Sequence, residues 1–291
     1  LKCSKLVDEI IFAIPKNNKN NKLKKYILNN KFKNLYEGSP EDVLSRYYGA
    51  AKKFSSDIII RITADCPLID PTLLDQMISI FINSNINYLS NTLRPTYPDG
   101  YDIEIFDFKT LKKTFQNSKQ KIDREHVTLY IKRNKDKFKV KNFSHTSNLS
   151  NLRLTLDEED DFKLISRVTN LMKNKYFFKL KDVEKLYEKN PKLFQLNSHL
   201  VRDEGMTLSK GQKLWKRAQK IIPNGNMLLS KNPSRFFNLN NWPVYFKKTK
   251  GCEVWDLDNK KFFDFSFMGI GTNILGYSNS FVDNAVRKTV K

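Results

Sequence analysis

The feature that most constrains the fold is an unbroken run of β-branched residues, Ile58–Ile60, followed by a short polar segment and two prolines. Such a run is typical of a strand buried in the middle of a sheet. Pro67 prevents the strand from continuing, and Pro71, with Asp70 as a cap, is placed to begin a helix. Asp65 is therefore predicted at the carboxyl end of a central strand, where open α/β sheets bind their ligands. A carboxylate in that position suits a hard cation such as Mg²⁺, which would in turn hold phosphate groups.

Strand-like and helix-like segments alternate on either side of this run. Apolar residues at helical spacing predict a helix within 16–34, another that Ser39 or Pro40 opens, and a third over 71–82. Strands are predicted at 86–91, 101–106, 137–143 and 151–156, and helices at 107–117, at 123–134 and after the acidic turn near 157. The alternation indicates an α/β fold with a mostly parallel sheet.

The pattern changes near residue 190, where Asn190-Pro191 ends the last helix of this region. Residues 1–194 are therefore predicted to form one domain, and the polar, irregular residues 195–211 a linker. Residues 212–291 contain a helix, a hairpin, a glycine-rich segment and the start of a last helix. They are predicted to form part of a second α/β lobe.

Composition limits the classes of function. The formal net charge of +21 invites a nucleic-acid interface, but the positive charge comes mainly from lysines spread along the whole chain. No zinc-finger or RNP-like motif accompanies them. We therefore expect anionic nucleotides and sugar phosphates, and not nucleic acid, as ligands. No apolar run reaches the length of a membrane span, so no membrane partner is expected.

The three cysteines are far apart and form neither a CxxC pair nor a disulfide framework. This usage is typical of a reducing compartment, and we expect the protein in the cytoplasm. Cys66 adjoins Asp65, and we interpret it as a small residue packed under a loop rather than as a nucleophile.

Five segments, taken in order, resemble one enzyme family. They are YEGSPEDVLSRYYGAA, DIIIRITADCPLIDP, NYLSNTLRPTYPDGYDIEIF, DREHVTLYI and RLTLDEEDDF. Over residues 1–190 the chain is similar to the cytidylyltransferases of the spore coat polysaccharide biosynthesis type, which are relatives of the enzymes that make CMP-activated Kdo and sialic acids. The resemblance implies a Rossmann-like nucleotidyltransferase sheet that transfers CMP from CTP to a hydroxyl of an acidic sugar and releases pyrophosphate.

The resemblance also implies a catalytic Mg²⁺ held by two carboxylates. The metal-binding aspartate at the strand end of the family matches Asp65, and a second metal aspartate, in the later acidic segment, matches Asp157. With Mg²⁺ they would neutralise the triphosphate while the sugar hydroxyl attacks the α-phosphorus. The alternative for Asp157 is that it caps the helix that contains Glu158.

Four residues are predicted on the nucleotide side. Ser39, Asp42 and Arg46 match the segment of the family that borders the nucleotide. The guanidinium of Arg46 suits a phosphate, although an ion pair with Asp42 at i,i+4 is an equally good interpretation. Arg61 lies on the strand before Asp65, where a charge is costly unless it is paired. We expect a ligand or an acidic side chain to neutralise it.

Asp99, Asp102 and Glu104 are the best candidates on the sugar side. Asp102 and Glu104 share one face of a predicted strand, next to the turn at Asp99-Gly100. Their carboxylates are placed to accept hydrogen bonds from sugar hydroxyls.

Arg124, Glu125 and His126 match an Arg-Glu-His motif of the family. The resemblance implies that Arg124 holds the carboxylate of the sugar and that His126 acts as a base or as a hydrogen-bond donor. Glu125 is assigned to substrate binding. A structural role is the alternative for His126.

The chain departs from the family in two places. The family begins with a strand and a glycine- and arginine-containing loop that cradles the triphosphate, and residues 1–40 contain no such loop. Ala64 stands where the family usually has Gly. We therefore expect a sheet that lacks its first strand and phosphate loop. The chain by itself is expected to be inactive, and the full-length protein active.

Residues 211–291 resemble the beginning of class III aminotransferases, in the branch near glutamate-1-semialdehyde aminomutase. The segments GQKLWKRAQKIIPNGN, WPVYFKKTKGCEVWDLDNKKFFDF and MGIGTNILGY carry this resemblance. Asn259 replaces the usual hairpin glycine and tolerates positive φ, and Tyr277 replaces a histidine. The loop Gly269–Asn273 would approach the substrate. The lysine that binds pyridoxal phosphate lies further downstream in the family, so this cofactor is expected only with the full-length C-terminal enzyme.

Together the two resemblances suggest a piece of a two-enzyme fusion in surface polysaccharide synthesis. One alternative is a pyridoxal-phosphate-dependent aminotransferase or aminomutase with an accessory nucleotidyltransferase domain. Another is a basic binding protein. The sequence leaves a homodimer open and does not identify the sugar.

Overall fold

Two compact units make up the protein in the computed structural model, Leu1–Leu200 and Val201–Lys291. The structure describes residues 1–172, 179–200, 202, 209–226, 245–265 and 273–290. Among these residues, no helix combines the length and the apolar character that crossing a membrane requires.

The first unit has an α/β architecture in which most strands of the main sheet run in one direction, as predicted. Its strands are β1 (Phe12–Pro15), β2 (Leu35–Gly38), β3 (Ile58–Arg61), β4 (Tyr88–Ser90), β5 (Glu104–Asp107) and β6 (Val140–Asn142). β1 and β2 form a parallel pair, and the other four strands form a sheet in the order β3-β5-β4-β6. Because β5 is antiparallel to both β3 and β4, and β4 is parallel to β6, strands β3, β4 and β6 all point the same way.

The position of β3 differs from the prediction. It lies at the end of the strand order in its sheet rather than in the centre, and Ile58 is 37% exposed. A β-branched run indicates a strand but does not say which strands pair with it, because tertiary packing decides the neighbours. Asp65 nevertheless follows the carboxyl end of β3, as predicted.

Eight α-helices accompany the strands in the described part of the first unit. They are α1 (Asn21–Asn29), α2 (Val43–Lys53), α3 (Pro71–Ile82), α4 (Phe108–Asn117), α5 (Lys121–Glu125), α6 (Leu129–Arg133), α7 (Glu159–Leu171) and α8 (Leu180–Lys189). The prediction for α3 is confirmed, including its cap. Asp70 Oδ1 accepts a hydrogen bond from the N–H of Thr72 at 2.7 Å. Asp70 Oδ2 accepts another from the N–H of Leu180 at 2.9 Å, which ties α3 to α8.

Two helix boundaries differ from the predictions. α2 begins at Val43 with Asp42 as its cap, and not at Ser39 or Pro40. The hydroxyl of Ser39 instead accepts a hydrogen bond from the N–H of Asp42 at 3.0 Å, which forms a turn before the helix. The helix predicted over 123–134 is divided into α5 and α6 by Val127, whose φ of 52° lies in the left-handed region.

β5 is shorter than the predicted strand because a side chain takes the hydrogen bonds that would precede it. Asn91 accepts from the N–H of Ile103 at 2.9 Å and donates to the carbonyl of Tyr101 at 2.7 Å. The strand predicted over 151–156 is likewise reduced to a single bridge between Arg153 and Asp99.

Two apolar clusters cover the two faces of the main sheet. On β5, Ile105 packs in a cluster with Leu74 of α3 and Leu164 of α7. The next residue, Phe106, packs in the other cluster with Leu44 of α2. Consecutive strand residues point to opposite faces, so the sheet lies between two layers of helices. Each fully buried side chain of this size contributes roughly 1.5–3 kcal/mol, and this packing holds the sheet edge at which Asp65 lies.

In the described part of the second unit, a helix (Lys210–Ile221) precedes three strands and another helix (Ser280–Thr289) follows them. The strands β7 (Phe246–Lys250), β8 (Glu253–Asp256) and β9 (Lys261–Phe263) form an antiparallel sheet in sequence order.

The predicted hairpin turn of the second unit is confirmed. Asn259 has a φ of 65°, and Asp256 Oδ1 accepts hydrogen bonds from the N–H groups of Asp258 at 2.9 Å and Lys260 at 2.8 Å. Most of the predicted loop Gly269–Asn273 lies outside the described residues.

Candidate active site

Two predicted metal ligands, Asp65 and Asp157, lie at the same edge of the main sheet. The carbonyl oxygen of Asp65 accepts hydrogen bonds from the N–H of Leu156 at 2.8 Å and from Oγ1 of Thr155 at 3.1 Å. The loop after β3 is thereby fastened to the segment that leads into α7. Burial and then the negative charge of Asp65 raise the pKa of the Asp157 carboxyl. The structure therefore brings together two carboxylates that the sequence separates by more than ninety residues.

The alternative that Asp157 caps α7 is wrong. The cap position is Glu158, and the N–H groups of Asp157 and Glu158 donate to Oδ2 of Asp161 at 3.1 and 3.0 Å. The side chain of Asp157, which is 50% exposed, accepts a hydrogen bond from Nη2 of Arg153 at 2.9 Å. The carboxylate of Asp157 therefore does not cap α7.

Asp65 and Asp157 fit a magnesium ion by their chemistry. Burial and then the charge of Asp65 raise the pKa of Asp157, and a cation between the two carboxylates would offset both effects. Within the described ranges, no three His, Cys, Asp or Glu side chains converge into a larger metal-binding group. Mg²⁺ commonly takes one or two carboxylates from the protein and its remaining ligands from water and substrate phosphates.

Asp99 and Asp102, which are both predicted to bind the sugar, lie near the proposed metal ligands. Asp99 accepts a hydrogen bond from Nη1 of Arg153 at 3.0 Å. Gly100 has a φ of 96°, and a Cβ there would lie 2.4 Å from the backbone of Leu154, so glycine is required where the two segments meet. Asp102 interacts with the thiol of Cys66, which adjoins Asp65.

Cys66 itself is a packed thiol, as interpreted from the sequence. Burial raises its pKa to about 12, and the nearby charges of Asp65 and Asp102 act in the same direction. The thiolate that a nucleophile requires is therefore disfavoured.

Glu104 lies inside the protein rather than on the sugar side, so its predicted role as a sugar ligand conflicts with the structure. The register of β3 and β5 sets Arg61 opposite Glu104, and the two side chains form an ion pair. Glu104 also accepts hydrogen bonds from Tyr88 and from Thr128 at 2.7 Å, and it forms a second ion pair with Lys132 at 2.9 Å. The expectation that Arg61 needs an acidic partner is confirmed.

The charges around Glu104 hold it in its ionised form. Burial by itself raises the pKa of this carboxyl, but the positive charges of Arg61 and Lys132, with the hydrogen bonds, outweigh burial and hold the pKa well below its usual range. Arg61 therefore has a partner within the protein, and its nucleotide-binding role stays a prediction.

Arg124 and Asp42 bind each other, which conflicts with their predicted ligands. Nε and Nη2 of Arg124 both donate to Oδ2 of Asp42, the former at 2.8 Å. Nη1 of Arg124 donates to the carbonyl of Phe115 at 3.0 Å, and the guanidinium lies 4.6 Å from the centre of the Phe115 ring. Asp42 also accepts from the N–H of Ser45 at the start of α2. The pair therefore joins α2, α4 and α5, and the carboxylate of a sugar would have to displace Asp42.

The other residues of these motifs lie nearby in the fold. Nη1 of Arg46 donates to the carbonyl of Ser39 at 2.8 Å, and the interpretation of an Asp42–Arg46 ion pair is wrong because Asp42 binds Arg124 instead. Glu125 is the exposed last residue of α5. His126 follows it directly before the left-handed Val127.

We expect Arg124→Ala to lower the free energy of unfolding of the first unit by about 2 kcal/mol, because several hydrogen bonds of a charged group are lost. The measurement is the urea midpoint of the unfolding transition. Lys121→Ala on the same helix is the matched control, since its pair with Glu41 joins side chains that are 80% and 81% exposed and contributes little. Equal midpoints for the two variants would contradict a structural role of Arg124.

Sequence reasoning missed two residues of this region, Arg153 and Asn197. Arg153 is part of the segment RLTLDEEDDF, but it precedes α7, and the path of the loop rather than a helical spacing brings it to Asp157 and Asp161. Asn197 donates to Oδ1 of Asp161 at 2.8 Å and is 1% exposed. The predicted linker over 195–211 therefore begins inside the first unit, which extends to Leu200.

Comparison with known proteins defines the class. The profile of the family described as Cytidylyltransferase matches residues 1–205. A solved cytidylyltransferase from Leptospira borgpetersenii serovar Hardjo-bovis matches with a TM-score of 0.62 at 32% identity, over 67% of this chain and 82% of that chain. The chain belongs to the cytidylyltransferase family.

Two curated relatives are similar to the chain over this region. The chain is 34% identical over 206 residues to the uncharacterized protein MJ1063 of Methanocaldococcus jannaschii. This match covers 69% of the chain and 81% of that protein. It is 29% identical over 139 residues to the spore coat polysaccharide biosynthesis protein SpsF of Bacillus subtilis. This match covers 45% of the chain and 55% of that protein.

A different enzyme also matches. The chain is 39% identical over 87 residues to glutamate-1-semialdehyde 2,1-aminomutase of Acetivibrio thermocellus, and the match covers 29% of the chain. The chain spans 19% of the length of that relative.

Proposed function

We propose that the first unit transfers CMP from CTP to a hydroxyl of an acidic sugar and takes part in surface polysaccharide biosynthesis. Membership of the cytidylyltransferase family supports nucleotidyl transfer from CTP, and the similarity to SpsF supports polysaccharide biosynthesis. The acidic sugar rests on the sequence resemblance to the enzymes that activate Kdo and sialic acids. The cytoplasm as location and a homodimer stay predictions.

The observation that carries this proposal is the pairing of Asp65 and Asp157 at one edge of the sheet. The two residues come from separate motifs, and the charge of Asp65 acts on the pKa of Asp157. Hydrogen bonds from Thr155 and Leu156 to the carbonyl of Asp65 keep the two loops together. Such a pair suits a site that handles a polyphosphate with a divalent cation.

The proposed reaction is an in-line substitution at the α-phosphorus of CTP. The sugar hydroxyl oxygen forms a bond to that phosphorus, the bond to the bridging oxygen breaks, and pyrophosphate leaves. Asp65 and Asp157 would hold Mg²⁺, which supplies positive charge to the phosphates. Asp102 is proposed to orient the sugar hydroxyls, and His126 to accept the proton of the attacking hydroxyl.

The proposal predicts a preference for CTP. With Mg²⁺ and an acidic sugar such as Kdo or a sialic acid, the complete gene product should release pyrophosphate from CTP at least about a hundredfold faster than from ATP, GTP or UTP. Pyrophosphate is measured as phosphate after treatment with inorganic pyrophosphatase. Equal rates with all four nucleotides would contradict the cytidylyl assignment while leaving nucleotidyl transfer in place.

We further propose that the two units belong to one bifunctional protein whose second enzyme is a pyridoxal-phosphate-dependent aminomutase or aminotransferase. The motifs of residues 211–291 and the match to an aminomutase support it. An antibody raised against residues 1–200 should detect a polypeptide much longer than 291 residues. That polypeptide should carry the absorbance of pyridoxal phosphate bound to lysine. Detection of a separate polypeptide of cytidylyltransferase size alone would contradict the fusion.

A further inference from the structure

Arg153 lies at the centre of three carboxylates next to the proposed metal site. Its Nη1 donates to Asp99 at 3.0 Å, and its Nη2 donates to Asp157 at 2.9 Å. Nε and Nη2 donate to the two carboxylate oxygens of Asp161, both at 2.9 Å. The side chain of Arg153 is 10% exposed, so water screens these pairs less than it screens a surface ion pair.

Asp161 sets the orientation of the Arg153 guanidinium. The bidentate pair aligns the plane of the guanidinium with that of the carboxylate. The side chain of Asp161 is fully buried, and Nδ2 of Asn197 donates both to Asp161 and to the carbonyl of Arg153, at 2.8 and 3.0 Å. Because a guanidinium is planar and rigid, fixing one edge also fixes the N–H groups that reach Asp99 and Asp157.

We propose that Arg153 is a positioning residue of the nucleotidyl-transfer site. It holds the carboxylate of Asp157 beside Asp65 and joins it to the sugar-side loop through Asp99. The inference rests on the proposed function, in which Asp65 and Asp157 hold the metal. Arg153 acts through Asp157 and contacts neither CTP nor sugar. Three carboxylates share this one guanidinium. The cluster therefore keeps a net negative charge that a cation can neutralise.

A role that depends on the geometry of Arg153 and a role that depends on its charge predict different effects of Arg153→Lys on cation binding. If Arg153 acted by its charge alone, it would repel a cation, and a lysine in its place would leave cation binding unchanged. If Arg153 acts by position, Arg153→Lys keeps the charge but loses the bidentate contact. Cation binding then weakens by roughly 10–100-fold, the usual effect of removing a group that orients a metal ligand.

The experiment titrates Mn²⁺ into the full chain and measures the unbound ion by electron paramagnetic resonance. Arg153→Lys is expected to weaken Mn²⁺ binding by at least about tenfold, while circular dichroism shows that the variant is folded. Lys163→Ala is the matched control, since Lys163 pairs with Glu159 and Asp160 on α7 and its side chain is 49% exposed. This control is expected to bind Mn²⁺ like the parent protein.

Asp157→Asn separates failure of the inference from failure of the proposed function. If Asp157→Asn leaves Mn²⁺ binding unchanged, the proposed metal role fails and the inference fails with it. If Asp157→Asn abolishes binding and a folded Arg153→Lys variant binds normally, the positioning role alone is overturned. Should Arg153→Lys not fold, Asn197→Ala replaces it, because this change loosens Asp161 and keeps every charge of the cluster. Weaker Mn²⁺ binding in a folded Asn197→Ala variant supports the inference, and unchanged binding overturns it.

Discussion

Asp65→Asn is expected to lower pyrophosphate release from CTP by about a thousandfold in the complete gene product. Losing a metal-binding carboxylate removes several kcal/mol of charge stabilisation from the transition state, and about 4 kcal/mol corresponds to that factor. The fold should survive, because Asp65 is half-buried and its backbone carbonyl, rather than its side chain, accepts the N–H of Leu156. The rate is measured with CTP, Mg²⁺ and Kdo or a sialic acid as acceptor.

The same variant tests the proximity of the two carboxylates without any turnover. The negative charge of Asp65 is the second cause, after burial, of the raised pKa of Asp157, so the pKa of Asp157 should fall in Asp65→Asn. Carboxyl chemical shifts followed through a pH titration measure it. Asp160→Asn is the matched control, because Asp160 pairs with Lys163 on the surface of α7. Near-normal turnover in Asp65→Asn would contradict the metal assignment, and an unchanged pKa of Asp157 would contradict the pairing.

Glu104→Gln is expected to lower the free energy of unfolding of the first unit by roughly 3 kcal/mol. The glutamine keeps the shape of the side chain but leaves Arg61 and Lys132 without their shared counter-charge. A buried ion pair from which one partner is removed typically costs this much, because the remaining charge is poorly solvated. The urea midpoint of the unfolding transition measures the effect, given equal slopes for both proteins.

The pH dependence of this effect follows from the lowered pKa of Glu104. In the unfolded chain Glu104 titrates near its ordinary value of 4.5, and in the folded protein its pKa lies well below that. The ionised carboxylate therefore stabilises the fold at pH values above about 4.5, and this contribution is lost as the pH falls towards the folded pKa. The stability difference between the parent protein and Glu104→Gln should shrink accordingly in acid.

Glu37→Gln is the control for the prediction on Glu104. The pair of Glu37 with Lys24 joins side chains that are 30% and 39% exposed, and such pairs contribute about 1 kcal/mol at most. If Glu104→Gln costs no more than Glu37→Gln, the buried network around Glu104 does not stabilise the first unit.

Local structure could be predicted from the sequence because its causes lie within a few residues. Asp70 and Pro71 begin α3 at the predicted position, since a capping carboxylate and a proline in the first turn act on adjacent backbone groups. Asn259 forms the predicted turn because asparagine tolerates positive φ. The ordered motifs also predicted the family, which the match over residues 1–205 confirms. The alternation of strand-like and helix-like segments predicted the α/β class, which the structure confirms.

The partners of the charged residues were decided by the tertiary structure. The sequence indicated that Arg61 needs a counter-charge, but the antiparallel register of β3 and β5 decided that Glu104 provides it. Arg124 was predicted to bind the substrate, yet it binds Asp42, which lies 82 positions away in the chain. A sequence pattern shows which charged residues need a partner. When no partner lies nearby in the sequence, such a residue is easily interpreted as binding a ligand. Which distant side chains meet depends on strand register and helix packing, and these also unite Asp99, Asp157 and Asp161 around Arg153.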